Sequence, residues 1–255
     1  AFTWWPDPSG GTEVYVKGLA EELGRLGVEN VISAPAAGKS DIGYRISDGD
    51  SGLKVWRFKC NEKPGDLGEI YGEGDPVAAE NFRKVLDAEN PDIVHFHAWS
   101  PAVSILLVRE VKRRGIRMVQ TYHTPTLSCP RGTLMRWGKI VCDGNLATRP
   151  CVACAIQGKL GQGFRIQGEA LHRTSPNPES RIQNPKRSKI KMLISKLTTM
   201  FRMPGLIRKS IAAIRESFDA ADRIVALNQW SYDLLARNRV PKDKLQIIRH
   251  GVPAK

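Results

Sequence analysis

Two adjacent glycines, Gly10 and Gly11, stand where a helical pattern begins. Glycine has no Cβ, so its backbone can approach a bulky partner closely, and the first N–H groups of a helix have no acceptor within the helix. Together these features favour a site for an anion, most simply a phosphate. The alternative is a turn that uses glycine for its own geometry, and the pair alone does not decide between them.

Histidines end two apolar runs further along the chain. DIVHFHAW contains His95 and His97, and IRMVQTYH ends at His123, which Thr124 follows. The ordinary pKa of an imidazole permits proton exchange near neutrality. We predict an edge position for His97 and a deeper, core position for His95 on the same strand face. For His123 the alternative is a ring packed at a strand end and satisfied by the backbone.

Cysteines form a third group with chemical potential. Four of the five lie within 26 residues, namely Cys129, Cys142, Cys151 and Cys154. Their number matches a tetrahedral structural Zn²⁺ site, although only the last two have CxxC spacing. Free buried thiols and a redox pair are the alternatives, and no thioredoxin-like context supports the redox pair. A catalytic zinc is not expected, since four thiolates leave no open position.

The positive charge is concentrated in one segment. The chain carries a net charge of +13, and residues 156–215 hold 13 Lys and Arg against two acids. Such a segment indicates an anionic partner or a solvated insertion. Within it, residues 186–203 combine apolar residues at helical spacing with cations, which predicts either an interfacial helix on anionic lipid or an ordinary helix packed on the domain.

Alternating patterns predict the elements that position these residues. We expect strands at 28–35, 44–58 (a pair around a turn), 92–99, 116–123, 223–228 and 244–252, with helices after the glycine pair and at 75–91, 101–115, 204–222 and 229–240. Residues 124–204 are expected to be irregular. Strands alternating with helices predict an α/β fold, a Rossmann-like, mostly parallel sheet with helices on both faces. Ligands bind beyond the carboxyl ends of such strands, where the glycine pair, His97, His123 and Asn228 fall.

Composition excludes several classes. No apolar run is long enough to span a membrane, no leader resembles a signal peptide, and five cysteines do not demand an oxidising compartment, so a cytoplasmic location is expected. The first residues, AFTWW, look like the end of a strand, which suggests a fragment. No nucleic-acid-binding signature accompanies the basic segment, so no nucleic acid partner is expected.

Several fragments in order carry a family resemblance: GGTEVYVKGLAEEL, PDIVHFHAW, VQTYHTP and ADRIVALNQWSYDLLARNRVPKDKLQIIRHGV. They resemble the N-terminal domain of retaining GT-B glycosyltransferases of glycosyltransferase family four. The resemblance implies that residues 1–255 form the acceptor-side Rossmann-like domain, with a Cys-rich loop at 124–165 and the basic insertion 156–215 inside it. It also implies a C-terminal donor-binding domain absent from this sequence, so no turnover is expected from the chain as given.

The resemblance also implies roles for individual residues. His123 matches the family's strand-end histidine near the reacting sugar, whereas Gly10, Gly11, His97 and Thr124 would contact the donor and its diphosphate. The implied reaction moves a sugar from a nucleotide-sugar to an acceptor hydroxyl with retention and needs no cofactor for its chemistry. An envelope polysaccharide or glycolipid acceptor would suit a peripheral position on the cytoplasmic face of a membrane. The alternative function is a basic α/β module that binds nucleic acid or anionic membrane without catalysis.

Overall fold

The computed structural model describes residues 1–4, 7, 10–37, 43–46, 52–64, 66–161 and 185–251. The helices are α1 Gly11–Arg25, α2 Leu67–Tyr71, α3 Pro76–Glu89, α4 Ile105–Arg113, α5 Thr148–Gly161, α6 Pro185–Ala220 and α7 Gln229–Arg237, with a 3₁₀ turn at Pro125–Leu127. The strands are β1 Val31–Ala37, β2 Gly43–Ile46, β3 Lys54–Cys60, β4 Ile93–Phe96, β5 Arg117–Tyr122, β6 Met135–Arg136, β7 Ile140–Val141, β8 Arg223–Ala226 and β9 Leu245–Ile247.

The strands confirm the predicted α/β class. A four-stranded sheet has the order β4-β5-β8-β9, and all of its pairs are parallel. A second sheet has the order β1-β3-β2, in which β1 is parallel to β3 and β2 is antiparallel. Residues 1–4 belong to none of these strands, so the predicted strand end is not formed there. The four-stranded sheet therefore brings the carboxyl ends of β4, β5, β8 and β9 to one edge.

Helices cover both faces of β3. Val55 packs in a cluster with Val16 and Ala20 of α1, whereas Phe58 belongs to the larger core that includes Phe82 of α3. Side chains alternate between the two faces of a strand, so residues 55 and 58 point in opposite directions. The larger core extends through α4, α6 and the four-stranded sheet. This part of the fold confirms the prediction, made from the alternation of strands and helices along the sequence, that helices cover both faces of a sheet.

Capping residues explain the clearest helix boundaries. The Asp75 carboxylate accepts a hydrogen bond from Val77 N at 2.8 Å, and Pro76 occupies the first helical position of α3. The same helix ends at Asn90, whose φ of 42° is left-handed, as is common after the last helical turn. The sequence predicts this helix nearly to the residue because its start and stop signals are local.

Two prolines do not end the elements that contain them. Strand β1 continues through Pro35 to Ala37, which a strand paired on one side can accommodate. Helix α6 runs unbroken through Pro204, although a proline removes a helical hydrogen bond. Met203 and Ile207 are fully buried on either side of Pro204, so tertiary packing holds the helix together.

The segment 124–204 contains more regular structure than predicted. The β6–β7 hairpin, α5 and the first part of α6 all lie within it, whereas residues 162–184 lie outside the described residues. The predicted helix at 186–203 is confirmed as part of α6. Among the helices that the structure describes, none combines the length and apolar character needed to cross a bilayer.

Candidate functional site at the carboxyl edge of the parallel sheet

The N-terminus of α1 already holds one internal carboxylate. Gly10 N donates to Glu13 Oε2 at 2.9 Å, and Thr3 N donates to Glu13 Oε1 at 3.4 Å, while Glu13 is only 4% exposed. Gly11, the first helical residue, is exposed, and a Cβ placed on it would meet no described atom within 4 Å. Of the two glycine amides, only that of Gly11 is left without an acceptor among the described residues.

The strand-end histidines meet as the parallel topology predicts. His97 follows β4 directly and His123 follows β5 directly, and these two strands are neighbours. Their rings form a hydrogen bond of 3.1 Å between His97 Nδ1 and His123 Nε2. His95 lies beside them, with its ring centroid 3.9 Å from that of His97 and its Nε2 2.7 Å from Thr121 Oγ1.

Tyr15 joins the histidines to α1. Its ring lies 5.0 Å from that of His123 and 4.8 Å from that of His250, both in edge-on geometry. Tyr15 is four residues after Gly11, one helical turn along the same face. The first turn of α1 and the imidazoles therefore lie at the same edge of the sheet. We call Tyr15, His97, His123 and His250 the imidazole cluster.

Burial keeps the inner imidazoles neutral. It lowers the pKa of His123 to about 4, with His250 as a smaller cause, and it lowers the pKa of His95 to about 4. The pKa of His97 also falls well below its ordinary value, first through burial and then through His95. At pH 7 these rings carry no charge. A pKa this low does not favour the expected proton exchange of His123 near neutrality, and it leaves a neutral ring whose nitrogens can form hydrogen bonds.

The positions of the predicted residues differ in detail from the expectation. His97 is buried at 5% exposure, whereas His95 is half-buried, so the predicted order of depth is wrong. His123 is half-buried, and its Nδ1 has no partner among the described residues. Thr124 precedes the 3₁₀ turn, and its hydroxyl pairs with that of Thr126 at 2.8 Å. His123 thus combines partial exposure and such a nitrogen with a position against Tyr15 of α1.

Sequence reasoning missed two members of the imidazole cluster. His250 falls inside the predicted strand 244–252, but the structure ends β9 at Ile247, so His250 lies three residues beyond the strand and is exposed. In the sequence, nothing distinguishes Tyr15 from the other residues of an amphipathic helix. Its spacing of four from Gly11 is the signal that could have placed it over the helix start.

Asn228 caps a helix at the carboxyl edge of the four-stranded sheet. Its side chain accepts a hydrogen bond from Ser231 N at 2.8 Å and so caps α7.

The predicted cysteines lie elsewhere: Cys129, Cys142, Cys151 and Cys154 line one cavity that no member of the imidazole cluster reaches.

Comparison with known proteins adds independent information. The glycosyl transferase 4-like domain matches residues 10–155, more than half of the chain, from the glycine pair through the last cysteine. The fragments beyond residue 204 that also carried the resemblance lie outside this match. No curated protein matches the chain. Because the match covers more than half of the chain, including α1, β4 and β5, the chain belongs to the glycosyl transferase 4-like family, whose members transfer a sugar from a donor to an acceptor.

Proposed function

We propose that the imidazole cluster and the first turn of α1 form the N-terminal half of a site for a nucleotide-sugar. The enzyme transfers the sugar to an acceptor hydroxyl with retention at the anomeric carbon. The observation that carries this proposal is the position of His123 beside the helix that begins at Gly11. The ring is half-buried, and its Nδ1 has no partner in the part of the chain that the structure describes. Family membership supplies the class of reaction, and this geometry supports the assignment of the site.

The donor diphosphate would bind at the start of α1. The amide of Gly11, which has no acceptor among the described residues, and the positive end of the helix dipole both favour an anion that gains charge as the glycosidic bond breaks. Gly10 cannot contribute its amide while Glu13 accepts from it at 2.9 Å. No described atom lies within 4 Å of a Cβ placed on Gly11, so the described residues leave room for a phosphate to approach the backbone closely.

His123 would position the donor sugar. A neutral imidazole has one donor and one acceptor nitrogen, and Nε2 is engaged with His97. Its Nδ1 can therefore donate to or accept from a sugar hydroxyl, according to the tautomer that His97 selects. Such a contact orients the anomeric carbon without a charge that would compete for the phosphate.

The experiment measures nucleoside diphosphate release by the full-length gene product. A panel of UDP-, GDP-, ADP- and dTDP-sugars is supplied with an envelope polysaccharide and glycolipid extract as acceptor, and NMR of the product gives the anomeric configuration. We expect release with one donor, and we expect His123→Gln to lower kcat/KM by about 100-fold through loss of sugar positioning. Arg223→Gln, an exposed change at the opposite end of β8, is the matched control and should retain activity. No release with any donor, or full activity in His123→Gln, contradicts the proposal.

An acceptor held at a membrane is favoured by one feature of α6. Met200 is 39% exposed and Phe201 is 84% exposed, next to Arg202, an exposed cation that pairs with Asp66 at 3.4 Å. Apolar side chains beside cations are typical of helices at a lipid interface. The side chains at 186–199 lie outside those described.

Sedimentation with vesicles tests this part separately. The full-length protein should sediment with vesicles that contain anionic phospholipid and much less with purely zwitterionic ones. Phe201→Ser should weaken sedimentation, whereas Leu26→Ser, an exposed apolar residue at the end of α1, should not. Binding that ignores anionic lipid content would contradict a peripheral membrane site.

A further inference from the structure

Four thiols converge on one cavity that is lined by no member of the imidazole cluster. Cys129, Cys142, Cys151 and Cys154 are free and half-buried, and all line a cavity of about 30 Å³ together with Arg131. This volume is enough for one water-sized sphere or a single ion. The sequence separation of these cysteines reaches 25 residues, so the convergence is produced by the fold and not by adjacency.

Three local structures bring the thiols together. A tight turn follows Cys129, whose carbonyl accepts from Gly132 N at 2.7 Å. The β6–β7 hairpin places Cys142, whose amide donates to Leu134 O at 2.8 Å. Cys151 and Cys154 lie in the first turns of α5 at a spacing of three, which puts both on one helix face. The hydrogen bonds of each element thus direct separate cysteines to the same place.

Hydrogen-bond donors reach one of the four sulfur atoms from two sides. Cys154 Sγ accepts from Arg131 Nη1 and from Trp137 N, each at 3.3 Å. Donors aimed at sulfur help to hold a thiolate, which is the form of cysteine that binds a metal ion.

We propose that the four cysteines bind one structural Zn²⁺ ion with tetrahedral sulfur coordination. Among the described residues, no three His, Cys, Asp or Glu side chains are already arranged to hold a metal ion. The thiols must therefore draw together around the ion as they release their protons, a coupling of metal binding to local folding that is common in small sites. Four soft sulfur ligands select zinc over harder cations, and they leave no position open for catalysis.

The ion ties together the segment that follows His123. Cys129 is six residues beyond that histidine, and Cys154 lies on the helix at the far end of the segment. Crosslinking these positions through a metal restrains the connection between β5 and α5. The site is structural, and it is independent of whether a nucleotide-sugar binds at the imidazole cluster.

Metal analysis of the full-length protein tests the proposal. Protein purified under reducing conditions without chelator should contain about one zinc per chain. Cys151→Ser should lower this content at least tenfold. Cys60→Ser is the matched control: Cys60 is a buried thiol of β3 that does not line the cavity, and its loss should leave the zinc content unchanged.

Cobalt replacement keeps the test valid if a variant fails to fold. Wild-type protein exchanged with Co²⁺ should show the sulfur-to-cobalt charge-transfer and visible bands of a tetrahedral thiolate site. Absence of zinc and of these bands, with five freely titrating thiols, would overturn the proposal. A disulfide among the four cysteines, detected by mass spectrometry, would overturn it equally.

Discussion

Acidification should destabilise the protein through the buried imidazoles. His95 has a pKa of about 4 in the folded chain, against about 6.5 for an unfolded histidine. Between these values the unfolded chain binds a proton that the folded chain does not. The contribution of His95 to the free energy of unfolding therefore does not change with pH above about 6.5. It falls as the pH drops from about 6.5 to 4, and it levels off below that range.

The magnitude follows from the width of this interval. From pH 7 to pH 5, the unfolded histidine is protonated over about 1.5 pH units, each worth about 1.4 kcal/mol, so His95 alone removes about 2 kcal/mol of unfolding free energy. His97 and His123 act in the same direction because burial lowers their pKa values too.

Urea unfolding at a series of pH values measures this effect. The variant His95→Gln keeps a polar partner for Thr121 but cannot be protonated, so it should lose about 2 kcal/mol less than the wild type between pH 7 and pH 5. Carboxylates contribute equally to both proteins and cancel in the difference. Equal losses in the two proteins, or an NMR titration of His95 with a midpoint near 6.5, would refute the reasoning.

Three further substitutions separate function from stability. Gly11→Val should leave the free energy of unfolding within about 0.5 kcal/mol, since a Cβ there meets nothing described, yet lower kcat/KM for the donor by at least about tenfold; unchanged donor kinetics would count against the anion site. Asn238→Ala should cost about 2–3 kcal/mol in urea unfolding, because the buried amide of Leu146 loses its acceptor at 2.8 Å; a cost below about 0.5 kcal/mol would contradict this anchor. Asp75→Ala should cost about 1–2 kcal/mol through loss of the α3 cap, and retention of wild-type stability would show that the cap is dispensable.

Features that depend on a few neighbouring residues could be predicted from the sequence. The Asp75-Pro76 start of α3 is one, and the meeting of His97 with His123 is another, because the carboxyl ends of adjacent parallel strands share an edge. The type and order of the main elements follow from hydrophobic period alone. These inferences need no knowledge of distant contacts.

Features decided by distant packing could not be predicted. The course of α6 through Pro204 depends on burial of Met203 and Ile207 against other elements, which overrides the local cost of proline. The neutral state of His123 depends on burial that no local pattern reports. The contribution of His250 likewise depends on how the chain leaves β9.

The most direct test of the sheet-edge donor site is an NMR titration of the histidine rings in the full-length protein. Addition of the nucleotide-sugar that supports turnover, at constant pH, should shift the Cε1–H signals of His123 and His97 through its sugar and the amide signal of Gly11 through its diphosphate. The account predicts that these signals move together with one dissociation constant. Saturable donor binding that leaves all three signals unmoved would contradict it.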